Sequence, residues 1–171
     1  MINIEKVNDI LSYFAENVPD LTVTKTMKLF YYVDFVSFAE KDTPVTNDVY
    51  YKLPYGPVPS FIKNEISTII FKSTLHIPVE TDSQLSENFT AERKKIGQYD
   101  GFVINKKGRK ASLTHLSKYE IDLVKRIVKK FGKYTAKQLT TATHNEKPYL
   151  YTSENSVIDY SLSKHLNVKA I

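Results

Sequence analysis

Between Thr24 and Lys41 the apolar residues do not gather on one side of a helix but surround it: Met27, Leu29, Phe30, Tyr31, Val33, Phe35, Val36 and Phe38. A helix that is apolar all round has to be enclosed by the rest of its chain. Whatever this sequence folds into is therefore built around that segment. Further on comes Tyr55-Gly56-Pro57-Val58-Pro59. Pro57 and Pro59 each restrict φ and remove a backbone donor, and each constrains the residue before it. Gly56 accepts a positive φ, so the chain is expected to turn sharply there and enter a helix with Pro57 or Pro59 in its first turn.

The flanking segments supply the enclosure. Ile4, Val7, Leu11, Phe14 and Val18 recur at helical spacing, predicting a first helix over 4–18 that Pro19-Asp20 breaks. Asp42-Thr43-Pro44 ends the central helix, Val49–Leu53 reads as a short strand, and Pro59, Ile62, Ile66, Ile69 and Ile70 define a third helix. Leu75–Val79 resembles an edge strand, because Pro78 would interrupt a central one, and Thr81–Asn88 a polar loop. Gly101–Ile104 and Arg109–Leu113 flank Asn105-Lys106-Lys107-Gly108, which predicts a hairpin with glycine at its turn. Ser117-Lys118-Tyr119-Glu120 and Thr135-Ala136-Lys137-Gln138 are capping boxes opening two helices, the first closed by Gly132. A last helix is expected over 157–166. The fold class is α+β, a predominantly helical single domain over residues 1–171 with a small antiparallel β layer or hairpin.

Charge is unevenly placed. Residues 91–133 carry 13 Lys/Arg against 4 Asp/Glu, while the rest of the chain carries 11 against 15. A local basic patch attracts nucleic acid or an acidic protein face, or is simply a solvated surface. The absence of cysteine excludes disulfides and thiolate metal sites and fits a cytoplasmic protein. No apolar run is long enough for a membrane span, so no membrane partner is expected. The four histidines, His76, His115, His144 and His165, are scattered without metal-ligand spacing. There is no Gly-x-Ser-x-Gly elbow, no phosphate-binding loop and no dinucleotide fingerprint. No catalytic residue, metal or cofactor is therefore assigned, and the chain is not read as an enzyme.

Asp34 stands out among ionisable residues, since its helical neighbours Met27, Phe30, Tyr31 and Phe38 place it on an apolar stripe. A buried carboxylate requires hydrogen bonds or a cation. A structural carboxylate is expected, bonded to a tyrosine hydroxyl or to backbone amides near Tyr55-Gly56-Pro57. The helices over 117–131 and 135–143 have the lengths of a helix-turn-helix. The second offers few base-reading side chains.

Three elements carry a resemblance to a known family: Lys28-Leu29-Phe30-Tyr31-Tyr32-Val33-Asp34, then Tyr55-Gly56-Pro57-Val58, then Thr143-His144-Asn145-Glu146-Lys147-Pro148-Tyr149. In that order and spacing they resemble the Panacea domain, the SocA-like antitoxin domain of bacterial and phage toxin–antitoxin pairs. The resemblance covers roughly residues 4–166. It departs at Tyr149, where the family pattern favours Trp, and in the basic segment 91–133. In this context His144 and Glu146 are expected to cap or orient the turn before Pro148.

The resemblance implies a non-catalytic protein that neutralises a cognate toxin, encoded by a neighbouring gene, by direct binding. The expected surface is formed by Tyr50, Tyr51, Tyr55, Gly56, Pro57 and Val58, with His144 and Tyr149 nearby; the same residues serve equally as buried scaffold. The alternative is a basic nucleic-acid-binding protein using the 117–143 helical hairpin, with Lys125, Arg126, Lys129 and Lys130 as an exposed patch, acting as an operon autoregulator. Only weak nucleic-acid binding is expected of that patch.

Overall fold

Thirteen consecutive residues, Lys25 to Ser37, are buried on one helix, and the other elements are arranged about it. The computed structural model describes residues 1–75 and 83–167. That central helix is α2 (Val23–Lys41), capped by the Thr22 side chain and ended at Asp42 in the left-handed conformation. α1 (Ile4–Asn17) packs Phe14 edge-on against Phe30 at 5.2 Å between ring centroids. α4 (Lys118–Phe131), introduced by the Ser117–Glu120 capping box, stacks Phe131 on Tyr32 at 4.2 Å. α5 (Ala136–His144), opened by the Thr135–Gln138 box, buries Leu139 and Thr143, and a short α6 (Lys147–Tyr151) follows. The architecture is α+β and dominated by helices, with two small antiparallel sheets. Among the described residues no helix is long and apolar enough to cross a membrane.

The first sheet corrects the reading of the Gly-Pro corner. β1 (Tyr50–Leu53) pairs with β2 (Gly56–Pro59) around a two-residue turn, and α3 (Ser60–Leu75) begins only after Pro59. The prolines sit in a strand, not in the first turn of a helix. They are tolerated because β2 is an edge strand. With Leu53 and Gly56 closing the turn, positions 57 and 59 direct their backbone nitrogens away from β1. The helix start is capped from a distance instead, since Asp48 accepts the N–H of Phe61 and of Ile62, each at 2.9 Å.

Two further expectations change. The second hairpin pairs β3 (Phe89–Ile96) with β4 (Tyr99–Lys106) around Gly97-Gln98, so Gly101–Ile104 does not pair with Arg109–Leu113. Asn105 and Lys106 belong to β4, and Arg109–Leu113 is not a strand. The expected last helix is extended at its start: Ile158 N–H donates to Tyr50 O and Lys52 N–H to Ser156 O, covering the outer edge of β1. A 3₁₀ helix (Tyr160–His165) then follows, with Asp159 accepting the Ser161 N–H. The expected edge strand from Leu75 to Val79, where Leu75 ends α3, otherwise lies outside the described residues, as do His76 and the first two residues of the expected loop.

Asp34 is fully buried in α2 and ties the helix to the segment leading into β1. Its carboxylate accepts the Thr46 N–H at 2.7 Å, the Thr46 hydroxyl at 2.5 Å and the Tyr50 hydroxyl at 2.7 Å. One partner is a tyrosine as anticipated, but the amide is that of Thr46, not one at the Tyr55–Pro57 corner. Burial pushes the Asp34 pKa up to about 6, outweighing the hydrogen bonds that lower it, with Asp48 adding repulsion. The folded state therefore keeps this proton to higher pH than the unfolded chain, whose ordinary value is 3.8. The contribution of Asp34 to stability falls as pH rises through that window and is greatest below it. In Asp34→Asn this dependence disappears. Relative to the parent, the variant should gain on the order of 2–3 kcal/mol between about pH 4 and pH 7 in urea unfolding. Parallel pH profiles for the two proteins would contradict this.

Candidate functional site: the proline hairpin and its mount

The β1–β2 hairpin is held on α2 at two points. Tyr50, at the start of β1, reaches Asp34 as described. At the other end Lys28, buried in the same helix, donates from Nζ to Pro57 O at 3.0 Å. Pro57 O lies on the outer edge of β2, so Lys28 takes a group that the ladder leaves free. Burial lowers the Lys28 pKa to about 7. Among the described residues no carboxylate forms an ion pair with it.

Gly56 is required by this contact. Its φ is +108°, and a Cβ there would stand 2.6 Å from Lys28 Nζ and 3.2 Å from Thr143 Oγ1. Thr143 itself is buried at the end of α5, its hydroxyl donating to Leu139 O at 3.0 Å. Two elements of the sequence pattern, Tyr55-Gly56-Pro57-Val58 and Thr143–Tyr149, thus meet over the third, Lys28–Asp34.

The 143–149 segment closes the inner side. Tyr149 donates from its hydroxyl to Leu53 O at 2.8 Å, and its ring stacks on His144 at 4.7 Å with 16° between planes. Lys52 crosses above the Tyr149 ring, 4.7 Å from its centroid, donates to Thr152 O at 2.9 Å and pairs with Glu154 at 3.1 Å. His144 does not cap the turn. It ends α5, its Nε2 is buried with no hydrogen-bond partner among the described residues, and its ring stacks on Tyr149. Burial, then the charges of Lys28 and Lys52, lowers its pKa and keeps the ring neutral near pH 7. Glu146, also buried, accepts the Asn167 N–H at 2.7 Å. Its charge adds to burial in holding the Tyr31 and Tyr32 phenols protonated.

The anticipated surface residues divide sharply. Tyr50, Gly56, Pro57 and Tyr149 are buried, while Tyr55 at the turn is 80% exposed and Tyr51 37%. Strand alternation explains the split. Tyr50 and Lys52 point inward; Tyr51 and Leu53 point outward. Tyr51 lies opposite Val58 on β2 and opposite Val157 on the other side, and directly opposed residues share a face. Tyr51, Leu53, Val58 and Val157 therefore form one outward apolar face, with Val157 half-exposed. Val157 was missed because the segment containing it reads as helical. α6 also exposes Leu150 and Tyr151.

The basic residues lie elsewhere. Lys125, Lys129 and Lys130 are exposed on α4. Arg126 is not part of a free patch: it is half-buried and engages Glu40 at 3.0 Å and Asp122 at 3.0 Å. Among the described residues no three His, Cys, Asp or Glu side chains gather as a metal site would need.

The fold and site define a helix-dominated α+β scaffold that mounts a preformed, proline-stiffened hairpin on a buried helix. The antitoxin SocA-like, Panacea domain family matches residues 26–149, and the chain belongs to that family. That match runs from the start of the central helix to Tyr149 and so contains all three contact elements of the hairpin mount. No curated protein and no solved structure matches the chain.

The mount makes a specific demand on residue 56. Gly56→Ala should cost about 1–3 kcal/mol for the positive φ alone, with Lys28 displaced in addition. In a double-mutant cycle with Lys28→Ala, the summed cost should fall short of additivity by roughly 0.5 kcal/mol or more. Full additivity in thermal or urea unfolding would show that the two positions do not meet.

Proposed function

We propose that this chain is an antitoxin that neutralises a cognate toxin protein by direct, non-covalent binding, without catalysis. The observation that carries the reading is the outward face of Tyr51, Leu53, Val58 and Val157 beside exposed Tyr55, on a hairpin whose inner side is locked to the core. Aromatic and aliphatic side chains on a rigid backbone lose little entropy when covered, which suits them to anchor a tight complex. Tyr50, Gly56, Pro57, His144 and Tyr149 act here as the mount and not as the contact surface. The toxin is proposed to be a neighbouring gene product, and the encounter to take place in the cytoplasm.

Co-expression with the neighbouring gene product should restore growth and give a co-purifying complex. Tyr51→Ser combined with Val157→Ser should weaken that complex at least about tenfold, roughly 1.4 kcal/mol, with a Tm shift of no more than a few degrees. Tyr50→Phe should instead lower Tm, since it removes a hydrogen bond to a buried carboxylate. Failure of any complex to form would reject the antitoxin reading. Unchanged affinity in the double variant would reject this face.

A second reading rests on the exposed Lys125, Lys129 and Lys130, which form no ion pair among the described residues. Duplex DNA binding through them would be weak, about micromolar or weaker at physiological salt, and steeply salt-dependent. Changing the three to glutamine should flatten the salt slope; nanomolar, sequence-selective binding would rank this function first.

A further inference from the structure

Folding does not spread the basic residues of the 91–133 segment evenly over the surface. Several are neutralised at once: Lys94 pairs with Asp20 at 2.6 Å, Arg93 with Asp100 at 3.5 Å, and Arg126 with Glu40 and Asp122. The densest group left is Lys106-Lys107-Gly108-Arg109-Lys110, four cations in five residues. None of the four forms an ion pair among the described residues, and neither antitoxin contact nor the α4 surface uses them.

This turn is pinned at both ends. Lys107 N–H donates to Asn88 O at 2.9 Å, carrying the β3–β4 ladder one step past its last pair, Phe89 with Lys106. Gly108 takes a φ of +73° at the tip. Lys106 folds its amine back onto the carbonyls of Lys107 and Arg109, so two groups that would repel an anion are covered. On the far side Glu16 accepts the Ala111 N–H, and Asp9 accepts the His115 N–H at 2.9 Å, which fastens 111–115 to α1. Lys107, Arg109 and Lys110 are left exposed around the glycine, with the Lys107 amine 3.4 Å from Ser86 O.

The chemistry of the turn selects its partner. Protein interfaces are anchored at their centre by apolar and aromatic side chains, and between 106 and 112 the largest apolar side chain is that of Ala111. Phosphate backbones are held by Lys and Arg, by hydroxyls and by backbone N–H groups. Exposed Ser112 and Thr114 supply hydroxyls beside the cations, and Arg109 has the planar fork that meets two phosphate oxygens together. The carboxylates nearby are engaged elsewhere: Glu87 with Lys72 at 3.1 Å, Glu16 with the Ala111 N–H and Asp9 with His115.

We infer that the Lys107–Lys110 turn is a contact for the phosphodiester backbone of duplex DNA. It attaches the chain to phosphates without reading base sequence, since phosphate contacts carry no sequence information. The inference does not rest on the antitoxin reading, because a chain that neutralised nothing would still carry this turn. It shares with the α4 reading only the class of partner, and it puts the contact on a different surface.

The test reads binding of a fluorescein-labelled DNA duplex to the full chain by anisotropy. With one phosphate met by each exposed cation, affinity should fall about fortyfold between roughly 50 and 200 mM salt. Lys107→Gln with Arg109→Gln and Lys110→Gln should remove most of that dependence. Lys125→Gln with Lys129→Gln and Lys130→Gln, an equal loss of charge on α4, should leave most of it. Acetylation of lysines in the unaltered chain, read by mass spectrometry, requires no variant to fold. Bound duplex should slow it at Lys107 and Lys110 and not at Lys129 and Lys130. Equal effects of the two triple variants would reduce the attraction to net charge and overturn the proposal. So would absence of binding at low salt, protection confined to α4, or equal affinity for polyglutamate, which would make the partner an acidic protein surface.

Discussion

Two charged side chains inside one buried helix hold this structure in its particular form. Lys28 and Asp34 are each about as buried as the aromatic residues between them, and a buried charge without partners is strongly unfavourable. Both find their partners at the proline hairpin and the segment entering it, through Pro57 O on one side and Thr46 and Tyr50 on the other. A two-stranded hairpin is marginal by itself in water. Here it is ordered because it satisfies groups the helix cannot leave unsatisfied, and the helix tolerates those groups because the hairpin is there. Replacing both by apolar residues could retain stability, as buried ion pairs and polar networks often allow. It would remove what selects this placement of the hairpin over others.

The two hairpins protect their edges by different means. An exposed strand edge is a template for unwanted pairing, and proteins blunt such edges with proline, charge or coverage. β2 uses proline at both outward positions, 57 and 59, and the outward carbonyl at 57 is taken by Lys28. The outer edge of β1 is covered by 156–158. The first sheet is therefore closed to strand addition on both sides and can meet a partner only through its outer face. On β4 there is no proline, and its outer edge is covered by the Leu21–Thr22 segment, which bridges to Val103 and accepts the Ile104 N–H.

Legibility in the sequence followed the apolar pattern and failed where the pattern had no cause. The helices were readable because each buries a stripe, or in α2 every side, and because Ser117 and Thr135 carry complete capping boxes. β3 was not readable. Its distal half, Arg93 to Lys95, is exposed on both faces, so nothing imposes alternation on the sequence. The stronger turn signal at Gly108 then drew the pairing into the wrong register, although Gly97 is the glycine at the hairpin turn. The 156–158 segment failed for a different reason. Its extended form is imposed by the free edge of β1, a long-range demand that outweighs local helical spacing. At the site, composition identified Tyr50 and Tyr51 together, but only the register separates them.

That separation bears on how a tyrosine-rich motif works. Tyr50 is joined to Asp34 and packs among Tyr31, Phe35 and Tyr160 with ring centroids 5.4–6.0 Å apart, so its hydroxyl and ring are both committed to the interior. Tyr51, one residue along, has neither commitment among the described residues. One period of a strand thus divides a motif into a half that fixes the backbone and a half that is free to touch something else. Variation at the outward half can change what is contacted without disturbing the mount, because cross-strand neighbours Val58 and Val157 are themselves outward. Variation at the inward half cannot, since Lys28, Asp34, Gly56 and Tyr149 each close on another member of the set. A scaffold so divided can keep one frame while its contact face diverges, which is the physical condition for one fold to serve partners of unrelated shape.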